Sequence, residues 1–199
     1  MAEMFKELDP DTMDRSPGIT YQELLDLDTH EVPEVLRLQS PRDMGINDFL
    51  NDRYVSKDYH DKEVEKLWMK VWQFACREEE IPEVGDHIRY DIAGRSFLIV
   101  RQTDGGLKCY PNACLHRGRM LKEFDGRASE IRCAFHGFAW ELDGCLKDVP
   151  ARWDFPQIED DEFSLPEIPL ATWAGFVFIN PDQNCEPFEP FIKDLAEQF

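Results

Sequence analysis

The chain has 199 residues, enough for one well-cored domain with added segments. Its 22 basic and 41 acidic side chains leave a net charge of −19, which repels a phosphate backbone and excludes nucleic acid as an expected partner. No apolar run approaches the roughly 18 to 20 residues of a membrane span, and the acidic start MAEMFKELDPDTMD is unlike a secretion signal, so a cytoplasmic protein without membrane attachment is expected.

Residues 1–53 carry eight more acidic than basic side chains and few large apolar ones before YQELLDL, so this N-terminal arm cannot bury a core by itself. Thr20 and Glu23 have the spacing of a capping box for a short helix, and Pro33 ends it or begins the next piece. From Ser56, an N-cap residue, KDYHDKEVEKLWMKVWQFAC sets Val64, Leu67, Trp68, Val71 and Trp72 at the spacing of one helical face. A helix with a core-facing apolar stripe is predicted there.

The period then falls from 3.6 to 2. HIRYDI, SFLIVRQ and LKCY read as strands joined by turns at Ala93-Gly94 and TDGG; FAWEL and CLKDV, then PLATW and FVFIN around Ala174-Gly175, continue the pattern. Many short strands joined by glycine turns predict a mainly β fold with flanking helices, arranged as a small antiparallel β-sandwich or barrel.

Between these strands lies CLHRGRMLKEFDGRASEIRCAFHG, residues 114–137, which places Cys114 and His116 on one hairpin tip and Cys133 and His136 on another. A structural zinc site also takes two Cys and two His, but its common spacing groups Cys with Cys and His with His. Mixed pairs suit a Rieske [2Fe–2S] centre, in which the Cys of both arms hold one iron and the His of both arms the other. Gly118 and Gly137 closely follow the His residues, where a side chain would obstruct approach to inorganic sulfides. His30, His60 and His87 stand alone in polar surroundings and read as surface residues, whereas Cys76, Cys109, Cys145 and Cys185 read as buried thiols. Arg117, Arg119, Lys122, Arg127 and Arg132 outnumber Glu123, Asp125 and Glu130 around the motif, which suggests a basic collar for an acidic electron donor, or ordinary solvated loop charges.

CLHRGRML and CAFHGFAWELDG resemble the two ligand segments of the Rieske domain in α subunits of Rieske non-haem iron oxygenases, the aromatic-ring-hydroxylating group. YVSKDYHDKEVEKLWMKVWQFACREEEIPEVGD looks like the opening of that domain and WAGFVFINPD like its closing strand, so the resemblance covers residues 54–182. It implies a [2Fe–2S] cluster on Cys114, His116, Cys133 and His136, fed by a ferredoxin or flavin reductase drawing on NAD(P)H. It further implies a separate catalytic domain with a mononuclear Fe(II) that activates O2, for which residues 183–199 would be the start or the linker. A homo-oligomer, a trimer with or without β subunits, is the expected assembly. A free-standing Rieske-type ferredoxin and, further off, a zinc-stabilised interaction module are the alternatives. Phe138 stands where many relatives have Trp.

Overall fold

A computed structural model describes residues 20–38 and 50–198. The chain divides into two compact units, residues 1–49 and 50–199. In the first, α1 (Tyr21–Asp26) has the expected capping box: Thr20 Oγ1 accepts from the Glu23 N–H, and the Glu23 carboxylate accepts from the Thr20 N–H at 2.7 Å. A 3-10 turn follows at Glu34–Arg37, and Arg37 pairs with Asp26 at 2.8 Å. Residues 1–19 and 39–49 of the predicted arm lie outside the described residues.

The second unit opens with two short helices, α2 (Asp52–Val55) and α3 (Lys57–Glu63), the latter capped by the Ser56 hydroxyl and continued by a π-helical turn at Val64–Trp68. The predicted helix is thus shorter than its periodicity suggests. At Trp68 the Gln73 side chain donates to the Trp68 carbonyl at 2.5 Å, and Gln73 already begins β1 (Gln73–Arg77), which pairs with a strand far along the chain. Cross-strand pairing overrides local helical preference here. Nor is the apolar stripe core: Val64, Trp68, Val71 and Trp72 are half-buried and Leu67 is exposed. Trp72 meets Phe188 edge-on at 5.2 Å and donates its indole N–H to the Glu186 carbonyl, so α4 (Phe188–Ala196) packs onto this unit.

The remaining strands follow the period-2 reading closely. They are β2 (Asp86–Ile92), β3 (Arg95–Arg101), β4 (Leu107–Pro111), β5 (Gly126–Arg127), β6 (Ile131–Arg132), β7 (Ala139–Trp140), β8 (Leu146–Asp148), β9 (Leu170–Trp173) and β10 (Phe176–Ile179). They form three antiparallel sheets, ordered β1-β10-β9, β4-β3-β2-β5 and β6-β7-β8. The expected mainly β, antiparallel class holds; the barrel alternative does not, because the sheets remain separate.

Alternation along β3 organises the interior. Leu98 and Val100 enter one apolar cluster with Tyr110, Ile131, Phe138 and Trp140, while Phe97 and Ile99 enter another with Cys76, Cys109, Val177 and Ile179. Successive side chains of a strand point to opposite faces, so this one strand supplies both cores. Fully burying each such aliphatic side chain contributes about 1.5–3 kcal/mol.

Three isolated polar or thiol residues depart from expectation. His87 is buried rather than on the surface, its Nδ1 3.2 Å from the Gly85 carbonyl. It could not have been placed from its polar neighbours, because alternation turns Asp86 and His87 to opposite faces. Cys76 and Cys109 are buried thiols as read, with burial pushing Cys76 up to about 12, but Cys145 is exposed and Cys185 half-buried.

Burial holds the His87 imidazole below the ordinary histidine range. The unfolded chain, with an ordinary pKa of about 6.5, takes up the proton first as pH falls, so stability is lost on descending below that value. Urea unfolding should show a lower midpoint at pH 5.5 than at 7.5, with a smaller drop in His87→Gln. Equal drops in the two proteins would contradict this assignment.

Candidate metal centre

The first arm leaves β4 and the second joins β6 to β7. Each closes on itself in the same way. The Cys114 N–H donates to the Arg119 carbonyl and the Gly118 N–H to the Cys114 carbonyl, both at 2.7 Å. The Cys133 N–H donates to the Phe138 carbonyl at 2.8 Å and the Gly137 N–H to the Cys133 carbonyl at 3.0 Å. Aligned on this shared pattern, His116 stands two residues after its Cys and His136 three, so Phe135 occupies in the second arm the position of His116 in the first.

Convergence is stratified by depth. Cys114 and Cys133 are both buried within the cluster that holds Leu121, Ile131 and Trp140. Burial pushes the Cys114 thiol up, and the backbone N–H groups of His116 and Arg117 aimed at its sulfur pull the other way. Those N–H groups favour the thiolate. Above the sulfurs the two imidazoles meet with ring centroids 4.8 Å apart. His116 is half-buried, stacked on Phe138 at 4.6 Å and met edge-on by Phe155, and burial followed by the neighbouring His136 and Arg117 holds its imidazole below the ordinary range. His136 is exposed, with Phe135 3.8 Å away by ring centroid.

This donor set can hold two metals side by side, thiolates on the inner one and imidazoles on the outer. A single tetrahedral ion needs all four donors about one point, and among the described residues no group of three or more His, Cys, Asp or Glu side chains could hold one ion. Two soft thiols, two imidazoles and inward N–H groups fit a two-iron, two-sulfide group.

Supports absent from the motif reading pin the first arm and the loop that follows it. Buried Asn112, two residues before Cys114, accepts from the Leu121 and Lys122 N–H groups at 3.1 and 2.9 Å and donates to the Lys122 carbonyl and the Ser96 hydroxyl. A polar side chain between a strand and a candidate ligand was its only sequence signal. Arg89 of β2 donates to the Glu123 carbonyl, while its own N–H bonds the Asp125 carboxylate at 2.8 Å. The proposed basic collar is largely neutralised. Arg119 pairs with Glu123, Arg127 with Asp86, and Arg132 with Glu130 and Asp148, while burial draws the Lys122 amine down. Arg117 lies over the Phe135 ring at 5.9 Å and, among the described residues, makes no ion pair.

A model of the Rieske [2Fe–2S] domain matches residues 71–159. Residues 71–159 are a Rieske-type domain. Over 152 residues its sequence is 34% identical to the large oxygenase component of salicylate 5-hydroxylase from a Ralstonia species, covering 70% of this chain and 36% of that protein. It is 31% identical to the carnitine monooxygenase oxygenase subunit of Escherichia coli K12, covering 72% and 38%. Among solved structures it resembles the apo form of the quaternary ammonium Rieske monooxygenase CntA, with a TM-score of 0.71 and 28% identity over 76% of this chain and 44% of that one. Naphthalene 1,2-dioxygenase from Rhodococcus sp. matches with a TM-score of 0.65 and 32% identity over 69% and 32%. The chain thus spans 36–38% of the length of the first two relatives.

The two arm glycines differ in what they need. Gly118 has φ +72° and open space where a Cβ would stand; Gly137 has φ +80°, and a Cβ would lie 3.1 Å from the Pro150 ring. Of these two glycines, Gly137 alone is also held by close approach of a neighbouring atom. Gly118→Ala should cost about 1–2 kcal/mol from the left-handed backbone alone, and Gly137→Ala more. Thermal unfolding of the metal-free chain checks the order; Gly118→Ala as the costlier change would contradict it.

Proposed function

We propose that Cys114 and Cys133 bind one iron and His116 and His136 the other iron of a [2Fe–2S] cluster, and that this chain is the electron-transfer portion of a Rieske oxygenase α subunit. The observation that carries the reading is the pair of identically hydrogen-bonded arms that sort their donors by depth, sulfurs inside and imidazoles outside. In this layout residues 1–53 are an N-terminal arm, 54–182 the Rieske domain, and 183–199 the approach to a catalytic domain. The relatives are named for salicylate, carnitine and anthranilate, so the part they share with this chain does not follow the substrate.

The cluster, when bound, takes and releases one electron at a time. The protein's part is to shape that exchange. Leu121, Ile131 and Trp140 exclude water from the thiol side, which confines exchange to the imidazole side. The inward N–H groups of His116 and Arg117 stabilise negative charge on the Cys114 sulfur. His136, exposed where His116 is half-buried, is the outlet toward an acceptor, for which we propose the mononuclear Fe(II) of a catalytic domain that activates O2. The electrons are supplied by a ferredoxin or flavin reductase using NAD(P)H. Arg117 and Phe135 border an open cavity of about 740 Å³ beside the first arm, a surface suited to an acidic donor.

Two aromatic residues bear on the potential. The Trp140 indole N–H is committed to the Phe163 carbonyl at 2.9 Å, and Phe138, stacked on His116, has no donor to offer. With neither supplying a hydrogen bond to a cluster sulfur, the reduced state gains little from side chains, which places the midpoint near −150 mV, the low end of the Rieske range.

Purified after iron-replete expression, the chain should be red-brown, contain about two irons and two acid-labile sulfides, and accept one electron near that potential. His116→Ala or His136→Ala should lose or alter the cluster. Stoichiometric zinc without visible absorbance, or a midpoint well above zero, would contradict the proposal.

A further inference from the structure

The two arms share a backbone pattern but are not held alike. Asn112 clamps the first from inside the protein. The second, which presents the exposed His136, is held by a charged side chain. Arg132 immediately precedes Cys133 and folds back along its own arm, with Nη1 donating to the Gly137 carbonyl at 2.7 Å and standing 3.2 Å from the Asp148 carboxylate. Its Nε donates to the Glu130 carboxylate at 2.6 Å. That carbonyl belongs to the Gly137–Phe138 peptide, so the Arg132 fork fixes the backbone one residue beyond His136.

The fork is itself fixed. Lys147 bridges Glu130 at 3.1 Å and Glu141 at 3.2 Å, so alternating charges run Glu141, Lys147, Glu130, Arg132 and Asp148 around β6, β7 and β8 and end on the Gly137 carbonyl. Exposed ion pairs of this kind contribute little to stability. What they supply is geometry and field. A planar guanidinium can serve three acceptors in fixed directions, which an ammonium on a flexible stem cannot. The first arm has Ala113 at the position matching Arg132, with no side chain able to reach.

We propose that Arg132 is a positioning residue for the second arm: through the Gly137 carbonyl it sets the orientation of His136, and through its charge, set against Glu130 and Asp148, it sets the potential of the centre. The inference rests on the assignment of His136 as an iron ligand. Removal of the guanidinium leaves two carboxylates beside an arm that gains negative charge on reduction, so the reduced form is disfavoured.

The test uses the full 199-residue chain carrying its cluster, with redox titration and pulsed EPR of the histidine nitrogens. Arg132→Gln should keep its iron but lower the equilibrium constant for reduction about tenfold, a shift of about 59 mV to more negative potential, and change the coupling of one nitrogen and not the other. Arg132→Lys should return the midpoint to within about twofold of native in that constant while the altered coupling persists, because charge is restored and the fork is not. Asp148→Asn should move the midpoint the opposite way. An Arg132→Gln protein with native midpoint and couplings overturns the proposal, as does an Arg132→Lys protein with the midpoint of Arg132→Gln. If Arg132→Gln holds no cluster, Asp148→Asn decides: a raised midpoint supports the role and an unchanged one overturns it. A native chain that binds no iron–sulfur cluster overturns the ligand assignment and this proposal together, whereas a native cluster indifferent to Arg132 overturns this proposal alone.

Discussion

Two cysteine thiols sit in the same apolar cluster as Leu98, Tyr110 and Trp140, at the base of two loops that reach the surface within a few residues. Burial disfavours the Cys114 thiolate, and the chain offsets it only in part with the backbone N–H groups of His116 and Arg117. A metal centre completes the offset, since a coordinating thiol is deprotonated outright. Much of the surrounding architecture serves to keep the two loops at that depth: the side chains of β3 pack to both sides, the β6-β7-β8 sheet supplies Ile131 and Trp140, and Tyr110 and Gln102 both donate to the Leu142 carbonyl to tie the central sheet to the loop beyond β7.

The depth ordering gives the site a direction. Sulfurs face the core, where apolar contact keeps water away, and imidazoles face outward, where exchange with another centre can occur. His116 is stacked against Phe138 and Phe155, while His136 stands open with Phe135 beside it. An arrangement with four like ligands would have no such inner and outer end. Here the difference of a single residue between Cys-x-His and Cys-x-x-His, on loops with the same hydrogen-bond pattern, brings both imidazoles to one side despite their different register.

The strands were legible because alternation and glycine turns are local signals: HIRYDI, SFLIVRQ, LKCY, PLATW and FVFIN all lie on observed strands. The spacing of the two Cys/His pairs placed them on two loops, and the structure brings His116 against His136 and buries Cys114 and Cys133 in one cluster. What was not legible depended on distant pairing. QFACR continued the helical apolar spacing, and only its partner strand about a hundred residues later makes it β1. His87 looked polar and solvated, yet its strand register turns it inward. The basic collar was a count of charges in one segment, and Asp86 and Asp148, which lie outside that segment, pair with two of its arginines. Asn112 and Arg132 carry no motif, because their roles are defined by carbonyls they reach across loops.

The central claim is that the two imidazoles share one iron and the two thiolates the other. Mössbauer spectroscopy of the 57Fe-enriched chain tests it most directly. The account predicts two inequivalent iron sites in equal amounts when oxidised, and on one-electron reduction a ferrous signal confined to the site with nitrogen ligands. Two equivalent sulfur-ligated irons, or a single mononuclear iron, would contradict it.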